Sequence, residues 1–185
     1  IKGFEAMVPA ILILTLAWTL KSMTDSLGAA EYVSSVVASS AAGLQMFLPA
    51  IIFVVAAFLA FATGTSWGTF GILIPICIAV FPSAAPLRII SISACMAGAV
   101  CGDHISPISD TTIMASAGAE CKHVHHVSSQ LPYALTVATV AFLTFIVAGF
   151  TQSLGIVTSA IISWVSGIAM LGLALFCLNR VKTGK

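Results

Sequence analysis

Residues Cys101 to Met114 read CGDHISPISDTTIM and concentrate the polar chemistry of the chain. Asp103, Ser106, Pro107 and Asp110 stand at i, i+3, i+4 and i+7, so an unbroken helix would carry them on one face. Pro107 has no N–H to give the carbonyl of Asp103, and it turns Ser106 away from helical angles. Gly102 loosens the backbone just before them. The expectation is a discontinuous helix that gathers freed carbonyls, two carboxylates and the hydroxyls of Ser106, Ser109, Thr111 and Thr112 at one depth. Oxygen donors of that kind form a cage for a hard cation, and half-helix ends add complementary dipoles. The expected ligand is a hard cation, held at Asp103 and Asp110. No transition metal and no cofactor are expected.

The elements that must position these residues lie in a membrane. Apolar residues make up 59% of the chain and charged ones 7%, with a mean hydropathy of +1.13. A soluble domain carries about a quarter charged residues, and a 185-residue globule this poor in charge could not cover its surface. Intramembrane carboxylates are costly and mark functional sites by default. Spans of about 20 residues are found at Phe4–Leu20, Leu131–Phe150 and Ile156–Leu178. None of these blocks alternates as the strands of a membrane barrel do. No charged or Gly/Ser-rich linker divides the chain, so residues 1–185 read as a single all-α membrane domain. Its first residue, Ile1, and its basic tail NRVKTGK point to the C-terminal part of a longer protein.

Two blocks are too long for one plain span. Leu87–Ala117 is expected to cross once as a broken transmembrane helix over 87–118. Phe47–Val80 is interrupted by Gly64–Gly71, and its second arm, Phe70–Val80, reaches roughly half the hydrocarbon thickness. The expectation is a re-entrant hairpin over 47–81, its tip formed near the midplane by Gly64, Thr65, Ser66, Gly68 and Thr69. Non-helical backbone at that depth must line something polar. With the C-terminus in the cytoplasm, Lys2, Lys122, Arg180, Lys182 and Lys185 fall inside, and Lys21 and Arg88 outside.

Each feature has a plainer alternative. The aspartates could cap two half-helices. His104 points away from Asp103 and reads as a structural hydrogen-bonding residue rather than a proton carrier. The hydroxyls of Thr65, Ser66 and Thr69 could satisfy tip backbone instead of an ion. Lys21 and Asp25 read as an interfacial pair, and CKHVHH as a solvated turn rather than a zinc site. The five cysteines form no C-x-x-C pair. Asp103, His104 and Ser106 do not form a catalytic triad, because helix neighbours do not face each other, and nucleic-acid binding lacks a basic patch.

Three stretches, LAWTL, GTSWGTFGILIPI and GDHISPISDTTIMASAGAECKHVHHVSSQLPYA, resemble the C-terminal half of NhaC-type sodium/proton antiporters, over about Phe4 to Phe150. The resemblance implies a secondary transporter of the ion-transporter superfamily, built from two inverted repeats that each hold a re-entrant hairpin and a broken helix. Only one repeat would be present here. It implies a multi-pass protein of a bacterial inner membrane, partnered by lipid, by the other half of the same transporter and by a second copy in a homodimer. The Ser-Asn-Thr hairpin signature of the superfamily's dicarboxylate branch is replaced by GTSWGTFG. Sodium and protons would compete for Asp103 and Asp110, since two buried like charges cannot both stay ionised without a counter-ion. The other readings are a sodium- or proton-coupled exchanger of organic anions or amino acids, and a half-transporter subunit that does not transport.

Overall fold

The computed structural model describes residues 45–81 and 85–183, together with Thr15, Thr19, Met23, Ser26 and Leu27. The expected span Phe4–Leu20 and the pair Lys21 and Asp25 lie outside the described residues. All the regular structure described is helical. Helices α1 (Leu48–Thr63) and α2 (Ser66–Val80) form a hairpin, followed by α3 (Pro86–Ile105) and the short α4 (Asp110–Gly118). Helix α5 (His123–Thr151) and α6 (Ile156–Thr183) complete the set, joined by a 3₁₀ turn at Gln152–Leu154. Three of these segments are long and apolar enough to cross a membrane: Pro86–Ile105, His123–Leu154 and Ile156–Arg180. The protein is a multi-pass membrane protein, and large apolar side chains such as Trp164, Val165, Ile168 and Leu173 point outward into lipid.

The hairpin turns more tightly than its sequence suggests. Only Gly64 and Thr65 leave the helix, whereas the expected tip ran from Gly64 to Gly71. Gly64 adopts φ 67°, a left-handed cap that a residue with a Cβ resists. Thr65 then caps α2 by accepting the N–H of Gly68 at 3.4 Å. That cap lets the helix start at Ser66 despite two glycines in its first turns. The second arm therefore has 15 residues and reaches about 22 Å, about one and a half times the half-thickness expected.

Helices α1 and α3 run parallel in a fixed register. A Cβ at Gly98 would collide with the carbonyl of Phe53, and one at Gly102 with the carbonyl of Ala57. The Ser106 hydroxyl donates to the carbonyl of Phe61 at 2.8 Å. Each pair is offset by the same 45 positions. Gly102 thus does not loosen the backbone, as expected from sequence; it sits in an intact helix and admits the neighbouring main chain. Ala56 and Ala60 of α1, Cys77 of α2 and Cys95 and Ala99 of α3 fill the seam between the three helices.

Val80, Phe81 and Leu87 pack with Leu48 and Ile52, so the start of α1, the end of α2 and the start of α3 share one end. The hairpin enters and leaves there. Helix α5 runs antiparallel to α1, with Phe47 edge-on to Phe150 at 5.2 Å and Phe53 near Phe145 at 5.6 Å. Gly149 admits the carbonyl of Met46 in the same way that Gly102 admits Ala57. Helix α6 returns along α5, Ser159 donating to Ala148 O at 3.2 Å and bonding Thr151 Oγ1 at 2.9 Å.

Substituting Gly102→Ala should force α1 off α3, as overpacking does at a cost of about 1–3 kcal/mol or more. Gly118→Ala, where a Cβ meets nothing within 4 Å, should leave stability unchanged. Thermal unfolding of the two purified variants in one detergent measures the difference.

Candidate functional site

The expected helix break is present and covers Ser106 to Ser109, between α3 and α4. Pro107 is at its centre. The hairpin tip packs directly on it, since a Cβ at Gly64 would lie 2.9 Å from the carbonyl oxygen of Ile108. The two-residue turn of the hairpin and the four-residue break thus meet at one level. The carboxyl ends of α1 and α3 and the amino ends of α2 and α4 converge there, bringing partial charges of both signs.

The carbonyls of the break are mostly engaged rather than free. Asp103 O accepts the N–H of Ser106 at 3.1 Å, a tighter i+3 bond that replaces the one Pro107 cannot make. The carbonyl of His104 accepts the Thr112 hydroxyl at 3.2 Å and the Gln130 amide at 2.7 Å. Pro107 O accepts His123 Nε2 at 2.7 Å. The expected pool of freed carbonyls is therefore smaller than sequence suggested, because α4 and α5 supply donors across the gap. Gln130 and His123 are structural partners that the sequence reading did not single out. Gln130 lies in the QLPYA segment, and a buried gap in need of donors was the signal that pointed to it.

Oxygen atoms with lone pairs to offer remain. Asp103 is 9% exposed and its Oδ1 has no hydrogen-bond partner among the described residues. It follows Cys95 and Ala99 at i+8 and i+4, on the α3 stripe that faces the hairpin. Ser106 and Ser109 are fully buried and Thr112 nearly so. Ser106 and Thr112 give their hydrogens to carbonyls, which leaves lone pairs on both oxygens. Ser109 and Thr111 bond each other at 2.7 Å.

The two aspartates occupy different surroundings. Asp103 is enclosed, while Asp110 is exposed in the first turn of α4, where the helix dipole favours its charge. The break between them turns α4 out of line with α3, so the single face expected of an unbroken helix is not formed. The His104 ring is exposed beside a groove between α3 and α5 and makes no hydrogen bond among the described residues; it is the residue's carbonyl that supports the break. At the tip, Thr65 caps α2 and the Thr69 hydroxyl donates to Thr65 O at 3.0 Å, so these hydroxyls serve local backbone. Ser66, Gly68 and Thr69 are buried.

Depth is set by α5. His104 meets Gln130, and Phe61 and Ile105 line a groove with Leu131 and Leu135. The break and tip thus stand level with the start of the Leu131–Phe150 apolar stretch, not with its middle. The 20 residues of α3 that precede the break agree with this placement.

Residues 1–150 match the Na+/H+ antiporter family. The chain belongs to that family. Membership points to a membrane transporter rather than an enzyme. An uncharacterized protein of Haemophilus influenzae is 52% identical to this antiporter-family chain over 154 residues, which are 83% of this chain and 29% of that protein. The malate-2H(+)/Na(+)-lactate antiporter of Bacillus subtilis is 32% identical over 113 residues, 58% of this chain and 24% of its own length. The arginine/ornithine antiporter ArcD of Halobacterium salinarum is 29% identical over 117 residues, 61% and 24% of the two chains. The chain thus spans less than a third of the length of each of these relatives. No solved structure matches this antiporter-family chain.

Ser106→Ala removes the donor that reaches Phe61 O and should cost about 1–3 kcal/mol, the penalty of an unsatisfied buried carbonyl. Ser128→Ala, at an exposed position of α5 with only a local bond to Val124 O, should cost less than half as much. Denaturation in mixed micelles, followed by circular dichroism, reads both.

Proposed function

We propose that this chain carries the cation site of a secondary antiporter that exchanges sodium for protons. The carrying observation is the enclosed Asp103 with an unpaired carboxylate oxygen, set where the break of α3 meets the hairpin tip. A sodium ion held there would draw on the Asp103 carboxylate and the lone pairs of Ser106, Ser109 and Thr112. The negative ends of α1 and α3 favour the same charge. Asp110, outside the enclosure, is placed to receive the ion or proton from the water-facing side. Sodium or protons, but not both, neutralise Asp103, and a neutral site crosses the membrane at lower cost than a charged one.

In this reading the α1–α2 hairpin re-enters on one side, with its tip well past the midplane and close to the far face. Its arms of 16 and 15 residues reach about 24 and 22 Å, short of the roughly 30 Å of hydrocarbon, and both open at one end. The complete transporter would add a second repeat that covers the exposed face of α4, in a bacterial inner membrane with the C-terminus in the cytoplasm. A homodimer of such transporters is the proposed assembly.

A second reading comes from the relatives. One is named for malate and lactate and another for arginine and ornithine, and the amino ends of α2 and α4 are suited to a substrate carboxylate. Sodium would then be only the coupling ion.

Proteoliposomes holding the complete transporter decide between the readings. Asp103→Asn should abolish sodium-driven proton movement, a drop of at least a hundredfold, with insertion unchanged. Asp110→Asn should slow exchange and raise the sodium concentration needed. Lactate, malate or arginine that is itself exchanged, and without which sodium and protons do not move, would favour the second reading. Exchange at the wild-type rate in Asp103→Asn would remove the site altogether.

A further inference from the structure

We infer that His123 is a proton-binding site separate from the carboxylates, and that its protonated ring clamps the α3–α4 break to the start of α5. This goes beyond the exchange reading and does not depend on it. The ring bridges three elements: Nε2 lies 2.7 Å from Pro107 O in the break and Nδ1 lies 3.1 Å from Ser116 Oγ on α4. His123 itself opens α5. Pro107 O can only accept, so Nε2 carries a hydrogen. Ser116 has one hydroxyl hydrogen, and its oxygen also lies 2.9 Å from the carbonyl of Ile113.

Counting hydrogens separates the two states of the ring. With Ser116 donating to Ile113 O, Nδ1 must donate to Ser116 Oγ, and both nitrogens carry hydrogen. That ring is the imidazolium, and it completes all three bonds. A neutral ring with its hydrogen on Nε2 needs the Ser116 hydroxyl to turn toward Nδ1. Ile113 O then loses its side-chain donor, and two bonds remain of the three. Protonation therefore adds one bond and makes two of them charge-assisted. The titratable groups nearby in the chain, on α4 and at the end of α3 are Asp110, Glu120, Cys121, Lys122, His125, His126, Asp103 and His104. None makes a hydrogen bond or ion pair with the ring among the described residues, whose contacts are Pro107 and Ser116.

The sign follows directly. The clamp is complete while the ring is protonated and loses one bond when the proton leaves, so raising the pH weakens it. The segment from Ser106 to Gly118 would thus be held at acid pH and released toward alkaline pH, independently of what occupies Asp103.

Hydrogen–deuterium exchange of the intact protein in lipid nanodiscs, corrected for intrinsic rates, tests this between pH 5.5 and 8. Peptides covering residues 106–118 should lose about tenfold in protection across that range in wild type, the size of one hydrogen bond. His123→Gln keeps one donor for Pro107 O and should show flat, low protection. Ser116→Ala leaves Nδ1 without an acceptor and should be flat as well, which keeps the test available if the histidine variant fails to fold. Asp103→Asn should keep the wild-type profile. A flat wild type, or a response that survives in His123→Gln, overturns the inference. A response lost in Asp103→Asn but kept in His123→Gln would assign the proton to Asp103 instead.

Discussion

A main-chain carbonyl released inside a membrane must find a donor within the protein, and a hairpin turn and a helix break at one level release several. That requirement explains how these helices meet. Ser106 reaches from the break to Phe61, so the break is tied to the hairpin arm. Thr112 and Gln130 reach the carbonyl of His104 from α4 and α5, and His123 reaches Pro107 from the other side. Among the described residues, Asp103 Oδ1 is a buried side-chain oxygen left without a partner beside these bonds. That oxygen is a point of unmet demand, where a cation or a proton can answer it.

Such bonds need helices at close quarters, and small residues supply the approach. Gly98 and Gly102 bring α3 onto the main chain of α1, and Gly149 brings α5 onto the start of α1. In lipid, where apolar side chains gain little by leaving one tail for another, this close van der Waals contact is the main source of association. Alanines and two cysteines fill the seam without holding the backbones apart. Toward α6, hydroxyls of Thr151 and Ser159 carry part of the join.

The long elements were legible because length and hydropathy fix them: α6 falls close to the span Ile156–Leu178, and α5 contains Leu131–Phe150 but starts earlier, at His123, within the stretch read as a solvated turn. The break was legible because Pro107 has only one consequence for a helix. The fate of the released carbonyls was not, since their donors, Gln130 and His123, stand 26 and 16 residues away from the groups they serve. Gly102 was misjudged for the same reason: a glycine read alone suggests looseness, and only the partner helix shows that it is a contact. The tip was drawn too long because two glycines outweighed the cap that Thr65 supplies. The shared face of Asp103 and Asp110 held only for a continuous helix, and the break that was foreseen also removes it.

The constant offset between α1 and α3 bears on how such a chain can change in length. Eight residues separate Gly98 from Ser106 and eight separate Phe53 from Phe61, so the seam works like a vernier with matched divisions. One residue inserted in either helix would turn everything beyond it by about 100°. Ser106 would then swing away from Phe61, and side chains would arrive where only glycine fits. A residue added to both helices at matching positions would keep the register but rotate the tip and break together, away from Asp103. Length variation is therefore confined to the chain before α1 and to the segments that join α2 to α3 and α4 to α5. The distance from the glycine seam to the break is a fixed ruler within this unit.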